Sequence, residues 1–337
     1  MITIQKDSNF ALVGHGFHLC YFYENYLKLI KKKPIILTHK KKYHLSDIRS
    51  FKGNKSAYQN IFKLKNAQIL QLDNINKAST LRLLKKNKIE YIFSFSSRFI
   101  FKKNFLKIYK NRVFNIHPSI LPEERGAGTF TNRILNKKFF VAATIHYIDN
   151  GIDTGNILFQ TKKQKVKRNL LPLDYIIKTN KCYKYLIDKF LLHILKKKKI
   201  SIKKQKNSSK TYFARYNANL NGTIDWTIKG NYIEDFIRGF SKPYAGANTK
   251  IFVGKKIEKV SILNAIFKKN NLLNHPYMFG KIFYQDKEKI KIIVNGGFLL
   301  VKLVDLRLKK KISKFEGKTF FNYDYDIILS KKIININ

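Results

Sequence analysis

The sequence predicts an α/β chain, with a Rossmann-like, mostly parallel sheet domain followed by a small C-terminal β-barrel of the OB type. Three observations lead there. In the first half, short apolar runs alternate with longer stretches of helical periodicity, the pattern of strands joined by right-handed crossovers. A glycine turn, Gly14-His15-Gly16, links the first such run to the first helical stretch. Past the lysine-rich segment 196–210 the pattern changes to short apolar runs in quick succession, separated by Gly, Asn and Asp, as a small barrel requires.

Taken in order, residues 10–13 read as the first strand, and 17–31 as a helix with Leu19, Tyr23, Tyr26, Leu27 and Ile30 on one face. Residues 34–38 and 68–72 give the second and third strands, 78–87 a helix, and 90–95 and 112–116 two more strands. Residues 141–149 and 156–160 form a further pair around the turn residues Asn150, Gly151 and Gly155, and a long amphipathic stretch covers 173–195. Beyond the basic run, 232–240 is helical, and 249–253, 257–263, 280–284, 290–294 and 298–306 are strands. The expected layout is therefore a Rossmann-like domain at 1–198, a basic linker at 199–215, a β-rich domain at 216–310 and an extension without strong pattern at 311–337. No internal repeat is visible.

With 68 Lys and Arg against 21 Asp and Glu, the formal net charge is +47, which excludes an acidic or charge-balanced protein. At about 150 residues per domain, 337 residues make about two domains, and 44% hydrophobic residues suffice for a core in each. The most apolar run, 91–101, is short and contains Arg98, so no membrane span is expected. Lys6, Asp7, His15 and His18 interrupt the N-terminal apolar run, a poor signal peptide, and the chain reads as cytoplasmic. Cys20 and Cys182 lie too far apart in sequence for a disulfide framework or a metal cluster and are expected as buried thiols. Charge alone would suit nucleic acid. The lysines, however, are spread along the whole chain beside many Ile and Asn, as a bias in nucleotide composition would also produce, and a phosphate-bearing small substrate fits equally.

Gly14-His15-Gly16 lacks the third glycine of a dinucleotide fingerprint, because the position three after Gly16 is Leu19. It is a tight turn or an anion site at a helix N-terminus, and not an NAD site. The run from Phe114 to Gly126 is more specific. Asn115 and His117, two apart at the end of a strand, point the same way. Pro118 and Pro122 then hold an extended loop, and Gly126 permits a close backbone approach. A second loop, dense in Asp, Asn and Gly, lies between Ile148 and Asn156.

Asn115-x-His117-Pro118-Ser119-x-Leu121-Pro122, followed by Asp149-x-Gly151-x-Asp153-x-Gly155, resembles the 10-formyltetrahydrofolate-dependent formyltransferases. That family includes glycinamide ribonucleotide transformylase, methionyl-tRNA formyltransferase and the sugar N-formyltransferases. The resemblance implies a catalytic triad at Asn115, His117 and Asp153, with 10-formyltetrahydrofolate as co-substrate. It implies folate binding by Arg98, Phe99 and Ile100 and by Ile148, Asp149 and Asn150, with the pterin held mainly through backbone groups. It continues through Gly222-Thr223-Ile224-Asp225-Trp226, Phe236 to Phe240 and Pro243 to Ala247, and so covers roughly residues 9 to 310. In such a triad an amide and a protonated imidazole can donate to the oxyanion of a tetrahedral intermediate, while a carboxylate favours the imidazolium. No metal is required, and His15, His18, His39, His44, His193 and His275 show no ligand spacing.

The implied formyl acceptor is a nucleotide-linked amino sugar, with a product bound for lipopolysaccharide. The extra barrel argues against the ribonucleotide amine. Ala127-Gly128-Thr129-Phe130 after Arg125-Gly126, and Lys242-Pro243-Tyr244, depart from the Ala-Ala-Pro and Asn-Pro-Trp of the tRNA enzymes. Nucleic acid is then expected only if the tRNA alternative holds, and a homodimer is compatible with the sequence. The other alternative is a folate or nucleotide-sugar binding module without activity.

Overall fold

The computed structural model describes residues 1–51, 54–206, 210–214, 216, 221–270, 275–308 and 314–321. The chain divides into two compact units, one built from 1–129, 140–166 and 174–214, the other from 130–139, 167–173 and 215–337.

In the first unit β1 (Phe10–Gly14), α1 (Phe17–Ile30), β2 (Ile35–Thr38), α2 (Lys41–Ser50), β3 (Ile69–Gln71), α3 (Ala78–Lys86), β4 (Tyr91–Phe95), α4 (Lys103–Ile108) and β5 (Val113–His117) follow the expected alternation. The two-residue strand β6 (Arg125–Gly126) comes next. Helix α5 (Thr129–Leu135), which after its first residue belongs to the second unit, leads to β7 (Phe140–Val141), β8 (Thr144–Tyr147), β9 (Ile157–Gln160) and β10 (Gln164–Lys165) of the first. The long helix α6 (Pro172–Leu195) and β11 (Tyr212–Phe213) follow. The central sheet runs β3-β2-β1-β4-β5-β8-β9, parallel from β3 to β5 and antiparallel at the β8 and β9 edge.

The strand order reverses between β1 and β4, the switch point outside which such sheets bind ligands. Gly14 ends β1 there with φ 125°, and a Cβ on it would lie 1.9 Å from the Phe95 carbonyl oxygen, so only glycine fits. Two cores pack the sheet. On one face Ala11, Val13, Leu37, Ile92 and Val113 join Phe101 and Phe105 in a buried cluster. Elsewhere Phe10, Phe22, Phe93, Phe114 and Phe190 of α6 pack mostly ring edge against ring face.

Helices α2, α4 and α5 lie where no helix was expected. The caps of α2 and α4 are Lys40 and Lys102, which make no side-chain capping bond, so no N-cap signal marks their starts. The expected strand at 141–149 is two pieces, because β7 pairs with β10 and only β8 joins the central sheet. Nor does the described part of the expected linker run free. Ile200 bridges Ile2, Lys203 bridges Ile157, and β11 pairs in parallel with β6, all within the first unit. Cys20 and Cys182 are buried thiols, not joined in a disulfide.

The second unit carries α7 (Gly230–Gly239) and the strands β12 (Ala247–Val253), β13 (Lys256–Ile262), β14 (Ile266–Lys269), β15 (Ile282–Gln285), β16 (Lys289–Val294), β17 (Gly297–Lys302), β18 (Leu306–Leu308) and β19 (Phe320–Phe321). They form two four-stranded antiparallel sheets, β18-β13-β12-β19 and β14-β17-β16-β15. Trp226, Ile237, Ile251, Ile292 and Phe320 fill one shared core. Donation from Phe320 N–H to the Gly280 carbonyl (2.9 Å), and from Ile282 N–H to that of Lys318 (2.8 Å), joins the two sheets along one side. The expected barrel ended at 310, yet β19 and the buried Phe315 belong to it. Of the expected extension, 311–313 and 322–337 lie outside the described residues. Among the described residues no helix is long and apolar enough to cross a membrane.

Candidate active site

Asn115 and His117 alternate along β5, so both side chains leave the same face of the strand. The antiparallel register sets His146 of β8 directly opposite Asn115, and Thr144 opposite His117. The Asn115 amide donates to His146 Nε2 at 3.1 Å. His146 Nδ1 lies 2.7 Å from the Tyr147 carbonyl, which can only accept, so Nδ1 carries the proton and Nε2 is left to receive the amide. One N–H of Asn115 is thereby used, and its second remains for another acceptor.

His117 is buried, with 3% of its surface exposed. Its Nε2 lies 2.6 Å from the Glu124 carbonyl, so by the same argument Nε2–H donates there and Nδ1 is the nitrogen turned to the site. Facing it is Asp153, whose Oδ2 stands 3.5 Å from His117 Nδ1 and whose Oδ1 stands 3.5 Å from His146 Nε2. Gly126 N–H donates to Asp153 Oδ2 at 2.9 Å. Burial alone would raise the Asp153 carboxyl, but His117 and the Gly126 N–H hold it well below the usual carboxylate range. Asp153 sits in the left-handed region with φ 53°, a conformation that Asp and Asn tolerate better than most residues.

The loop between β5 and β6 is pinned from several sides. Thr144 Oγ1 donates to the Ser119 carbonyl (2.6 Å), Gln160 Nε2 to that of Leu121 (3.0 Å), and the Ser119 hydroxyl to the Glu124 carboxylate. At Gly126 a Cβ would lie 2.2 Å from the Phe213 carbonyl oxygen and φ is 90°, so the close approach expected of this glycine is to β11.

The expected folate-binding residues split in behaviour. Phe99 and Ile148 pack on the same buried cluster, so two apolar groups from loops remote in sequence share one bed. Arg98 turns its guanidinium to Asp47 at 3.2 Å, Ile100 is 75% exposed, and Asn150 is exposed. Of the backbone groups, the Ile100 carbonyl accepts from Asn76 Nδ2 (2.8 Å), and the Ile148 N–H donates to the Val113 carbonyl (2.8 Å). The Asp149 carboxylate accepts from Gly151 N–H at 3.1 Å and so shapes its own loop. A cavity of about 510 Å³ beside α3 and α4, lined by Arg82, Lys85, Ile108, Tyr109 and Arg112 among others, contains none of these residues. Among the described residues no group of three or more His, Cys, Asp or Glu side chains is placed to hold a metal ion.

Gln205 is the addition that sequence reasoning did not single out, and His146, which the resemblance puts at the start of a pterin wall running to Asp153, is found beside Asn115. Gln205 accepts from Arg125 Nε (3.1 Å) and donates to the carbonyls of Asp153 (2.9 Å) and Gly155 (2.7 Å). Strand alternation marks His146 as facing one side of β8, but only the register reveals its partner. Nothing in the lysine-rich run around Gln205 distinguishes it.

The chain matches the formyl transferase family over residues 33–169 and the formyl transferase C-terminal domain over residues 219–322. It is 30% identical over 250 residues to the bifunctional polymyxin resistance protein ArnA of Wigglesworthia glossinidia brevipalpis, covering 73% of this chain and 37% of that longer protein. To the methionyl-tRNA formyltransferase of Finegoldia magna it is 27% identical over 283 residues, 82% of this chain and 88% of the relative. An N-formyltransferase from Helicobacter canadensis, solved with folinic acid and dTDP-3-aminofucose, superposes with a TM-score of 0.60 at 22% identity, over 88% of this chain and 98% of the other. A sugar 3N-formyl transferase solved with dTDP and 5-N-formyl-THF gives 0.58 at 22% identity, over 90% and 99%. At such identities these two likenesses are likenesses of fold.

Proposed function

The chain belongs to the formyl transferase family and is a folate-dependent formyltransferase, and from that premise we propose that it formylates the primary amine of a nucleotide-linked amino sugar. The observation that carries the catalytic part is the meeting of Asn115, His117 and Asp153 at one buried point with His146 beside them. In this reading the neutral amine attacks the formyl carbon of 10-formyltetrahydrofolate and a new N–C bond forms. The carbonyl oxygen becomes an oxyanion, which accepts hydrogen bonds from the second N–H of Asn115 and from the Nδ1–H of the His117 imidazolium. Asp153 stays ionised and favours the imidazolium. Collapse then breaks the bond between the formyl carbon and the folate nitrogen, which receives the proton the amine gives up, directly or through His117 or water. Phe99 and Ile148 would serve as apolar walls for the pterin, with Arg98, Ile100, Asp149 and Asn150 around it.

The acceptor part rests on residues outside the triad, because every acceptor class shares the triad. Ala127 to Phe130 and Lys242-Pro243-Tyr244 favour the sugar. The alternative, formylation of charged initiator tRNA, draws support from the Finegoldia magna relative. A cytoplasmic location and a product used in lipopolysaccharide belong to the same proposal. Tetrahydrofolate release is to be measured side by side with dTDP-3-aminofucose, a UDP-linked 4-amino sugar and methionyl initiator tRNA. Turnover on at least one nucleotide sugar is expected, weakening moderately with salt. Efficient formylation of the tRNA alone, with affinity falling by about three or more decades between 50 and 200 mM salt, would reverse the assignment.

A further inference from the structure

We propose that Gln205, through Arg125, is the positioning residue that fixes the Asp153 carboxylate against His117 and His146. The inference rests on the reading above that Asp153 acts in formyl transfer. Gln205 is 8% exposed, and its amide is saturated. Its Oε1 accepts from Arg125 Nε at 3.1 Å and from an Arg125 terminal nitrogen at 2.7 Å, and its Nε2 donates to the carbonyls of Asp153 at 2.9 Å and Gly155 at 2.7 Å.

These bonds close a ring. Arg125 is followed by Gly126, whose N–H donates to the Asp153 carboxylate, while Gln205 holds the Asp153 carbonyl. Both ends of one residue are gripped by the same two-residue strand, directly at the carboxylate and through Gln205 at the backbone. The grip has something to resist, because Asp153 occupies the left-handed region with φ 53°. The segment bearing Gln205 is itself in register. Lys203 and Ile157 exchange two backbone bonds of 2.8 Å on one side, and Thr211 and Phe213 accept from Arg125 and Ala127 N–H (2.9 and 2.8 Å) on the other. The groups facing the Asp153 carboxylate are His117 from β5, His146 from β8 and the Gly126 N–H from β6, with the Arg125 guanidinium held off by Gln205. A neutral amide is the right group for this place, since it must accept from a cation and donate to two carbonyls at once.

The test uses the full chain with Gln205→Glu, Gln205→Ala, Arg125→Lys and, as reference, Asp153→Asn. Gln205→Glu keeps the shape and the acceptor for Arg125 but removes both donors. The readouts are melting temperature, kcat and KM for 10-formyltetrahydrofolate and for the acceptor that turns over, and the pH profile of kcat. Both Gln205 variants should lose about 10- to 100-fold in kcat, the cost of a misplacement near 1 Å, with KM for the acceptor within about threefold. The alkaline limb should move to lower pH, because a displaced carboxylate no longer favours the imidazolium. Arg125→Lys should show the same shift with a smaller loss. Wild-type kcat and pH profile in Gln205→Glu, beside an inactive Asp153→Asn, would overturn the inference while leaving the site intact, whatever the melting temperature does. Should Gln205→Glu fail to fold, an unshifted profile in Arg125→Lys overturns it equally. Undiminished turnover in Asp153→Asn would instead sink the reading of the site.

Discussion

Two groups of buried histidines lie on the same central sheet and differ in what their ring nitrogens meet. His117 and His146 each give one nitrogen to a backbone carbonyl and turn the other toward Asp153. His15, after β1, and His39 and His44, after β2, gather with ring centroids 4.2 to 5.3 Å apart. His15 Nδ1, both nitrogens of His39 and His44 Nδ1 are buried with no hydrogen-bond partner among the described residues. Their one nearby carboxylate, Asp47, is 3.9 Å from His15 and shared with Arg98. Burial, the neighbouring imidazole of His44 and the Arg98 guanidinium push His39 down to about 4, and burial also lowers His15 and His44. His44 Nε2 also meets a carbonyl, that of His39 at 3.2 Å, so what sets His117 and His146 apart is a carboxylate aimed at them and not shared with an arginine.

The sharpest way to break this contrast is at the site. His117→Ala, Asn115→Ala and Asp153→Ala should each lower kcat by about two to three orders of magnitude with folate binding retained, and the losses should not add. Steady-state kinetics of single and double variants checks this, and a His117→Ala enzyme above about a tenth of wild-type turnover would refute the assignment.

Acid should separate the two groups next. A histidine lowered in the fold contributes stability that is full above its unfolded value near 6.5 and is lost as pH falls toward its folded value. His39, near 4 in the fold, gives up its contribution across that window. Asp153 loses its contribution in the same direction but in a lower window. Its depressed carboxyl contributes stability that is full above its unfolded value near 3.8 and declines only below it. Melting temperature should therefore fall already between pH 6.5 and 4, and His39→Gln should flatten that fall while leaving the part below pH 4. An unchanged slope in His39→Gln would mean that the cluster is not its source.

Gly126→Ala tests the intermediate case, a site histidine whose carboxylate has lost one donor. With φ 90° and a Cβ 2.2 Å from the Phe213 carbonyl, it should cost about 2 kcal/mol and roughly tenfold in kcat. Chemical denaturation and kinetics read the two effects separately, and wild-type values of both would show that the strand β6 is not needed to seat Asp153. The smallest effect is expected at His44→Gln, where turnover should stay within about threefold. A hundredfold loss there would erase the distinction between the groups.

Much of this was legible in the sequence. The strands β1, β2, β4 and β5 announce themselves as apolar runs between helical stretches, and the period of two places Asn115 and His117 on one face without any structure. What stayed hidden depends on pairing. His146 meets Asn115 because of a cross-strand register that no local pattern encodes. Gln205 lies among Lys203, Lys204 and Lys206, and a run of that composition reads as solvated chain until its carbonyl and guanidinium partners are known. Helices α2 and α4 were missed for want of capping residues, and β14, four residues ending in two lysines, is too short to show a period.

The left-handed backbone of Asp153 also bears on how this protein could change in descent. Few side chains accept that conformation, and among them asparagine matches aspartate in shape. The two amino acids are one base apart in the genetic code, a single G-to-A exchange. The easiest substitution at this position is thus one that discards the carboxylate and spares the fold, a short path from enzyme to folded, substrate-binding relic. An Asp153→Asn chain that still folds cooperatively but no longer turns over would show that path to be open, and one that fails to fold would close it.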